Sequence, residues 1–217
     1  TADGSVFLAG YGNEPFSHWL EIVPRRSHPP GATVTVGGAG EDSPLGPGEP
    51  TEIPQIPETA KYLTMNYSPL SDFAVPVSTN GGLNEHHVAG RDIFAPSRQE
   101  LRDQTPNPQR GPTFIDVARI AMERARTARE AVEISGRLID EYGYTSYGGN
   151  CHMFADPTEG WIMIEFAGGA GLWVAERLGP DAVRASRPGY IGEIPLDYQD
   201  SPDHLGSPNL VSFAVGQ

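Results

Sequence analysis

The order of patterns along the chain predicts an α+β fold built in layers. Three observations predict it. Alternating apolar runs fill much of the first and last thirds. Two amphipathic helices follow one another between residues 113 and 143. The segment after them reads as antiparallel strands joined by short turns. A helix with one apolar stripe packs on something flat, most simply a sheet.

The elements follow in order. Asp3-Gly4 is a strong hairpin dipeptide, and Val6 to Tyr11 is a buried-strand candidate after it. A hairpin needs a strand on both sides, so the partner strand is expected upstream of Thr1. The alternative is a frayed terminus over Thr1 to Ser5. Residues 28 to 60 are rich in Pro, Gly, Glu and Thr, with one alternating run from Ala32 to Val36. They read as a short strand and then a long surface loop. Tyr62 to Tyr67 and Phe73 to Val77 alternate as strands do, and Gly81 to Ala89 joins a turn to another strand. Residues 95 to 112 are polar and broken by proline.

Phe114, Val117, Ala118, Ala121 and Ala125 recur at helical spacing after Pro112-Thr113. Thr127 and Glu130 have capping-box spacing, so Thr127 ends one helix and starts the next. Ala131, Ile134, Leu138 and Ile139 form the second stripe, and Gly143 supplies the stop. Cys151 to Asp156, Trp161 to Ala167 and Leu172 to Arg177 then form a meander. Its turns are Pro157 to Gly160 and the Gly-rich run 168–171. Trp161 and Trp173 are expected to make a cross-strand core cluster.

Composition excludes several classes. The 217 residues carry 15 basic and 28 acidic side chains, a formal net charge of −13. Such acidity argues against a nucleic-acid binder held by phosphate contacts. Arg119, Arg124, Arg126 and Arg129 are interleaved with Glu123 and Glu130 and read as a solvated helix face. A single cysteine, Cys151, excludes a disulfide framework and a Cys-based zinc finger. No stretch approaches the roughly 18 to 20 apolar residues of a membrane span. Gly168 to Gly171 precede no helix, so they are no phosphate cradle. The acidic loop from Glu41 to Glu52 lacks the regular oxygen spacing of a calcium loop. His86 and His87 point to opposite faces of a strand and cannot chelate one ion together. His86 with Glu85, and His18 or His152 from other strands, is the remaining metal combination, and no spacing supports it. No metal or cofactor is expected.

The run Gly82-Leu83-Asn84-Glu85-His86-His87-Val88-Ala89 resembles a motif of the secernins and C69-type dipeptidases, which are N-terminal-nucleophile (Ntn) hydrolases. Tyr142-Gly143, Gly148-Gly149-Asn150-Cys151 and Ala155-Asp156-Pro157-Thr158-Glu159-Gly160-Trp161 are similar to the same family in the same order. So are Glu165, Ala167-Gly168-Gly169, Trp173-Val174-Ala175, Ile191 to Ile194 and Ser207 to Leu210. The resemblance runs from about Ala2 to Gln217. It implies an Ntn-hydrolase-like four-layer αββα sandwich with two antiparallel sheets, of which this chain supplies a part. It also implies a single domain over 1–217, incomplete at one or both ends, and peptide- or amide-bond hydrolysis of the dipeptidase type.

In such enzymes an N-terminal cysteine attacks the amide carbonyl. Its own α-amino group serves as base because it titrates near neutral pH. Asparagine amides and backbone N–H groups hold the oxyanion. Carried over, the oxyanion candidate is Asn84. The aspartate that orients the nucleophile's amine falls on Asn13, with Glu14 beside it, although a one-residue shift on a strand reverses the side chain. The leading cysteine and its strand do not precede Thr1 in this sequence. Three readings stay open. The nucleophile lies on a companion chain or missing segment, the chain is a non-catalytic binding or assembly subunit, or Thr1 is itself the nucleophile. Cys151 is a further nucleophile candidate, weighed against a small buried hydrophobe at a strand start. The apolar run from Leu210 to Val215 is expected to pack against another chain or a continuation, so an oligomer or completed fold is anticipated.

Overall fold

The computed structural model describes residues 5–9, 18–40, 43, 45–67, 79–185 and 191–216. Strands β1 (His18–Val23), β2 (Arg26–Ser27), β3 (Thr33–Gly37), β4 (Gly48–Pro54), β5 (Glu58–Thr59), β6 (Tyr62–Tyr67), β7 (Thr79–Asn84) and β8 (Ala89–Phe94) come first. A single helical turn α1 (Gln99–Arg102), a short strand β9 (Gln109–Arg110) and helices α2 (Phe114–Arg124) and α3 (Ala128–Tyr142) follow. The chain closes with β10 (Asn150–Ala155), β11 (Gly160–Glu165), β12 (Trp173–Leu178), β13 (His204–Gly206) and α4 (Leu210–Val215).

Eight strands form one antiparallel sheet in the order β1-β6-β7-β8-β10-β11-β12-β13. Helices α2 and α3 lie on one face of it, α2 over β7 and β8, α3 over β10 to β13. This is the α+β layering that the sequence patterns predict. Of the four layers implied by the family resemblance, the described residues show one helix layer and one large sheet. A smaller sheet, β3-β4-β9, packs Val36 and Ile53 into the same core at the edge of α2.

Both helices start where the sequence marks them. Thr113 caps α2, accepting from the backbone N–H of Asp116, whose carboxylate accepts in turn from the Thr113 N–H. Thr127 caps α3 through Glu130 N. Here the box differs from expectation, because the Glu130 carboxylate takes the N–H of Arg126, one residue earlier. Gly143 ends α3 at a φ of 94°, a backbone conformation that side-chain-bearing residues avoid. Gly136 lets α3 settle on the indole of Trp173, which a Cβ at that position would strike.

From Trp161 to Ile164, β11 is apolar on both faces, so its sequence does not alternate with polar residues. Trp161 and Met163 join the core beneath the helices, while Ile162 and Ile164 join a second cluster on the far face. Cys151 and Val174 belong to that second cluster, over which Ile191, Ile194 and Leu210 fold back. The far face of β1, β6 and β7 is bare among the described residues. Leu20 and Ile22 are 64% and 67% exposed, and Leu63, Met65 and Leu83 stand beside them in register.

Several elements differ from the sequence reading. Residues 5–9 are not a buried strand, and Phe7 is exposed. The long surface loop contains β4, which pairs with β3 from Pro50 to Pro54 and with β9 at Gly48 and Glu49; Pro50 and Pro54 obscure its pattern. Gly81 and Gly82 lie inside β7, and the turn falls later, at residues 85–88. Trp161 and Trp173 are not cross-strand partners. They sit opposite Arg177 and Glu165 at the two ends of the β11–β12 pair, both beneath α3. The Asp3-Gly4 turn, Tyr11 and the Phe73 to Val77 run lie outside the described residues.

Candidate functional site

The β7–β8 turn holds the motif that suggested an oxyanion site. Asn84 is 2% exposed at the end of β7. Its Nδ2 donates to the carbonyls of Met122 (3.2 Å) and Ala125 (2.7 Å), the closing turn of α2. Its Oδ1 accepts from the backbone N–H groups of His86 and Val88, both at 3.0 Å. Both ends of the amide are therefore engaged, and no N–H remains for a substrate oxyanion. In this arrangement Asn84 caps a helix C-terminus and shapes a turn. His87 completes that turn at a φ of 64°. Glu85 braces it from outside, accepting from Arg25 and from the N–H of Lys61 (2.7 Å). The Arg25 guanidinium and the Lys61 N–H hold the Glu85 carboxyl down at about 2.

Cys151 is 2% exposed, packed on the far face of the sheet with Ile93 and Ile164 opposite it. Burial pushes its thiol pKa strongly upward, with the charges of Glu165 and Asp92 adding to the effect. A protonated, enclosed thiol is no nucleophile. The small-hydrophobe reading of this residue is the one the geometry fits.

On the opposite face, strands β8, β10 and β11 place four polar side chains beneath α2. Asp92 lies opposite His152, and Asn150 lies opposite Glu165. His152 and Glu165 are wholly enclosed and meet at 2.8 Å, Nδ1 to Oε1. The other ring nitrogen, Nε2, faces the carbonyl of Phe114 at 3.2 Å. Tyr144 is buried nearby, its phenol pKa raised first by burial and then by Glu165. Nothing in the strand pattern singles out this cluster; His152 and Glu165 pair diagonally across two strands.

A second polar strip lies at the β1–β6–β7 end of the sheet. His18 Nε2 meets Asn80 Oδ1 at 2.9 Å. The hydroxyls of Thr64 and Thr79 meet each other, and both lie within hydrogen-bond distance of the Gly81 carbonyl, so one donates to the carbonyl and the other to its neighbour or to the same oxygen. Asn66 donates to Glu21. The alternation Leu63-Thr64-Met65-Asn66 is the sequence signal for it, because it puts polar groups on one face. Thr1, Asn13 and Glu14 lie outside the described residues. Asn84 and Cys151 are not brought together: one faces the helices and the other the far side. Among the described residues, no three His, Cys, Asp or Glu side chains cluster as metal ligands would, and no helix is long and apolar enough to cross a membrane.

Residues 78–217 match the family model described as Peptidase family C69. A dipeptidase of Bifidobacterium longum (strain NCC 2705) is 28% identical over 176 residues, covering 70% of this chain and 32% of the relative. The chain thus spans about a third of that relative's length. Among solved structures, penicillin V acylase from Agrobacterium tumefaciens aligns with a TM-score of 0.44 and 15% identity, over 74% of this chain and 41% of that one. The family match extends from the start of β7 through the helix pair and the meander to α4, more than half of the chain, and the chain belongs to peptidase family C69.

Proposed function

We propose that this chain forms part of a hydrolase of peptide or amide bonds, of the dipeptidase type. The observation that carries the reading is the family match over residues 78–217. In this reading the nucleophile is an N-terminal cysteine on a further segment or companion chain, which completes a single Ntn-type domain with the one described. Its α-amine takes the thiol proton, the thiolate attacks the scissile carbonyl, the C–N bond breaks as the leaving amine takes that proton back, and water then hydrolyses the thioester to free the acid and restore the thiol. The described residues supply the frame: Asn84 locks the β7–β8 turn to α2, and the enclosed polar cluster fixes α2 on the sheet. A peptide is the substrate this chemistry takes.

A second reading, a non-catalytic subunit with a binding or assembly role, draws on one specific observation. Asn84 is fully committed to backbone partners, and Cys151 is enclosed. Dipeptide hydrolysis by the natural protein or assembly that carries this chain separates the two readings. The hydrolase reading expects turnover that thiol alkylation abolishes, in wild type and in Cys151→Ala alike. Absence of any turnover, with the assembly shown by intact mass to be whole, would leave the second reading standing.

A further inference from the structure

His152 has no solvent contact, and both of its ring nitrogens face oxygen atoms. The Phe114 carbonyl can only accept a hydrogen bond, so the Nε2 contact at 3.2 Å requires a proton on Nε2. The Nδ1 contact to Glu165 at 2.8 Å requires a second proton between nitrogen and carboxylate. A neutral imidazole beside an ionised carboxylate has only one proton for these two places. It would set a lone pair against a lone pair inside a dry core, which is costly.

We infer that His152 and Glu165 form a proton-holding latch that clamps the first residue of α2 to β10 and β11, and that opens as pH rises. The dyad keeps two protons on its three contact atoms and is neutral as a pair. That is the state in which an enclosed charge pair is tolerated. Asp92, opposite His152 on β8, adds to the negative charge that favours the protonated ring. Among the described residues, the other ionisable groups around the dyad are Tyr144 and Tyr147 after α3, and Cys151 on β10. All three are uncharged near neutral pH, and α2 contributes the Phe114 carbonyl. Burial alone would lower the pKa of His152. The charge and hydrogen bond of Glu165, then Asp92 and the Phe114 carbonyl, overturn this and raise it. The clamp lies beneath an aromatic ladder in which Phe114 meets Tyr147 edge-on (5.5 Å) and Tyr147 stacks on Phe94 (4.8 Å). Opening it loosens the start of α2 and the end of β8 together.

The sign follows from the raised pKa. The latch is complete below the unfolded-state value of about 6.5 and is lost as pH rises through the folded-state value. Nitrogen-15 NMR of the whole chain, followed from about pH 5 to about pH 9, tests the proton count directly. The expected result is a slowly exchanging ring with hydrogen on both nitrogens, or with its Nδ1 proton shared with a carboxyl, that keeps its second proton to a higher pH than an ordinary histidine, which loses it at about pH 6.5. A His152 ring that carries a single proton, with none shared, already at about pH 6.5 and below would overturn the inference. The second arm measures folding stability against pH. Between about pH 6.5 and the folded-state value the folding constant of the wild type should fall by up to about tenfold per pH unit, and the fall should level off above it. Glu165→Gln should remove most of that slope, and equal slopes in the two proteins would also overturn it. If Glu165→Gln does not fold, the NMR result on the wild type decides alone.

Discussion

Asn84 shows how one side chain can tie together segments far apart in the chain. Its amide reaches the carbonyls of Met122 and Ala125, and closes its own turn at His86 and Val88. Truncation would leave two buried carbonyls and two N–H groups without partners. Asn84→Ala should therefore lower stability by about 3 kcal/mol in urea unfolding. Asn84→Asp should do no better, because a carboxylate cannot donate to carbonyls. The Gly-x-Asn-Glu pattern around this residue was legible in the sequence. Its role was not, because the partners lie in α2, and no local spacing reports a contact across that separation. The same holds for His152 and Glu165, whose diagonal pairing depends on the register between β10 and β11. Cys151 was legible to the extent that strand alternation puts it opposite His152 in facing.

The helix pair was the most readable element, because its signals are local: Thr113, Thr127 and Gly143 mark its boundaries. Thr127→Ala should cost about 1 kcal/mol through the lost cap. Gly136→Ala separates packing from propensity. On helix propensity alone alanine gains about 1 kcal/mol over glycine. The Trp173 indole occupies the space of the new methyl, so the substitution should instead destabilise by about 1 to 3 kcal/mol. A rise in Tm would show that α3 does not rest on Trp173 as described. Strand β4 was unreadable for the opposite reason. Its prolines and acidic residues obscure the strand pattern, and it is held by pairing with β3 over Gly37 to Thr33 and by Ile53 in the core.

At the scale of the whole molecule, the two faces of the sheet have different cover. The helices close one face, and Ile191, Ile194 and Leu210 close part of the other. Ile164→Ala in the covered part should cost about 2 to 5 kcal/mol. Ile22→Ser in the bare part should change stability of this chain by less than about 0.5 kcal/mol. Equal costs would contradict the unequal cover. The layering was legible in the order of strands, helices and strands, because both periodicities are written locally. The unequal cover was not, since it depends on which distant segment folds back over which strand.

The described part is a frame, with its cysteine enclosed and its motif asparagine bound to a helix end, and the proposed function places the attacking group outside it. The most direct test is the rate of dipeptide hydrolysis by the natural protein or assembly in wild type and Cys151→Ala, each before and after thiol alkylation. Cys151→Ala should keep the wild-type rate within about twofold, since a buried protonated thiol does no chemistry. Alkylation should abolish both rates. Loss of activity in Cys151→Ala while the variant remains folded would contradict this placement of the attacking group.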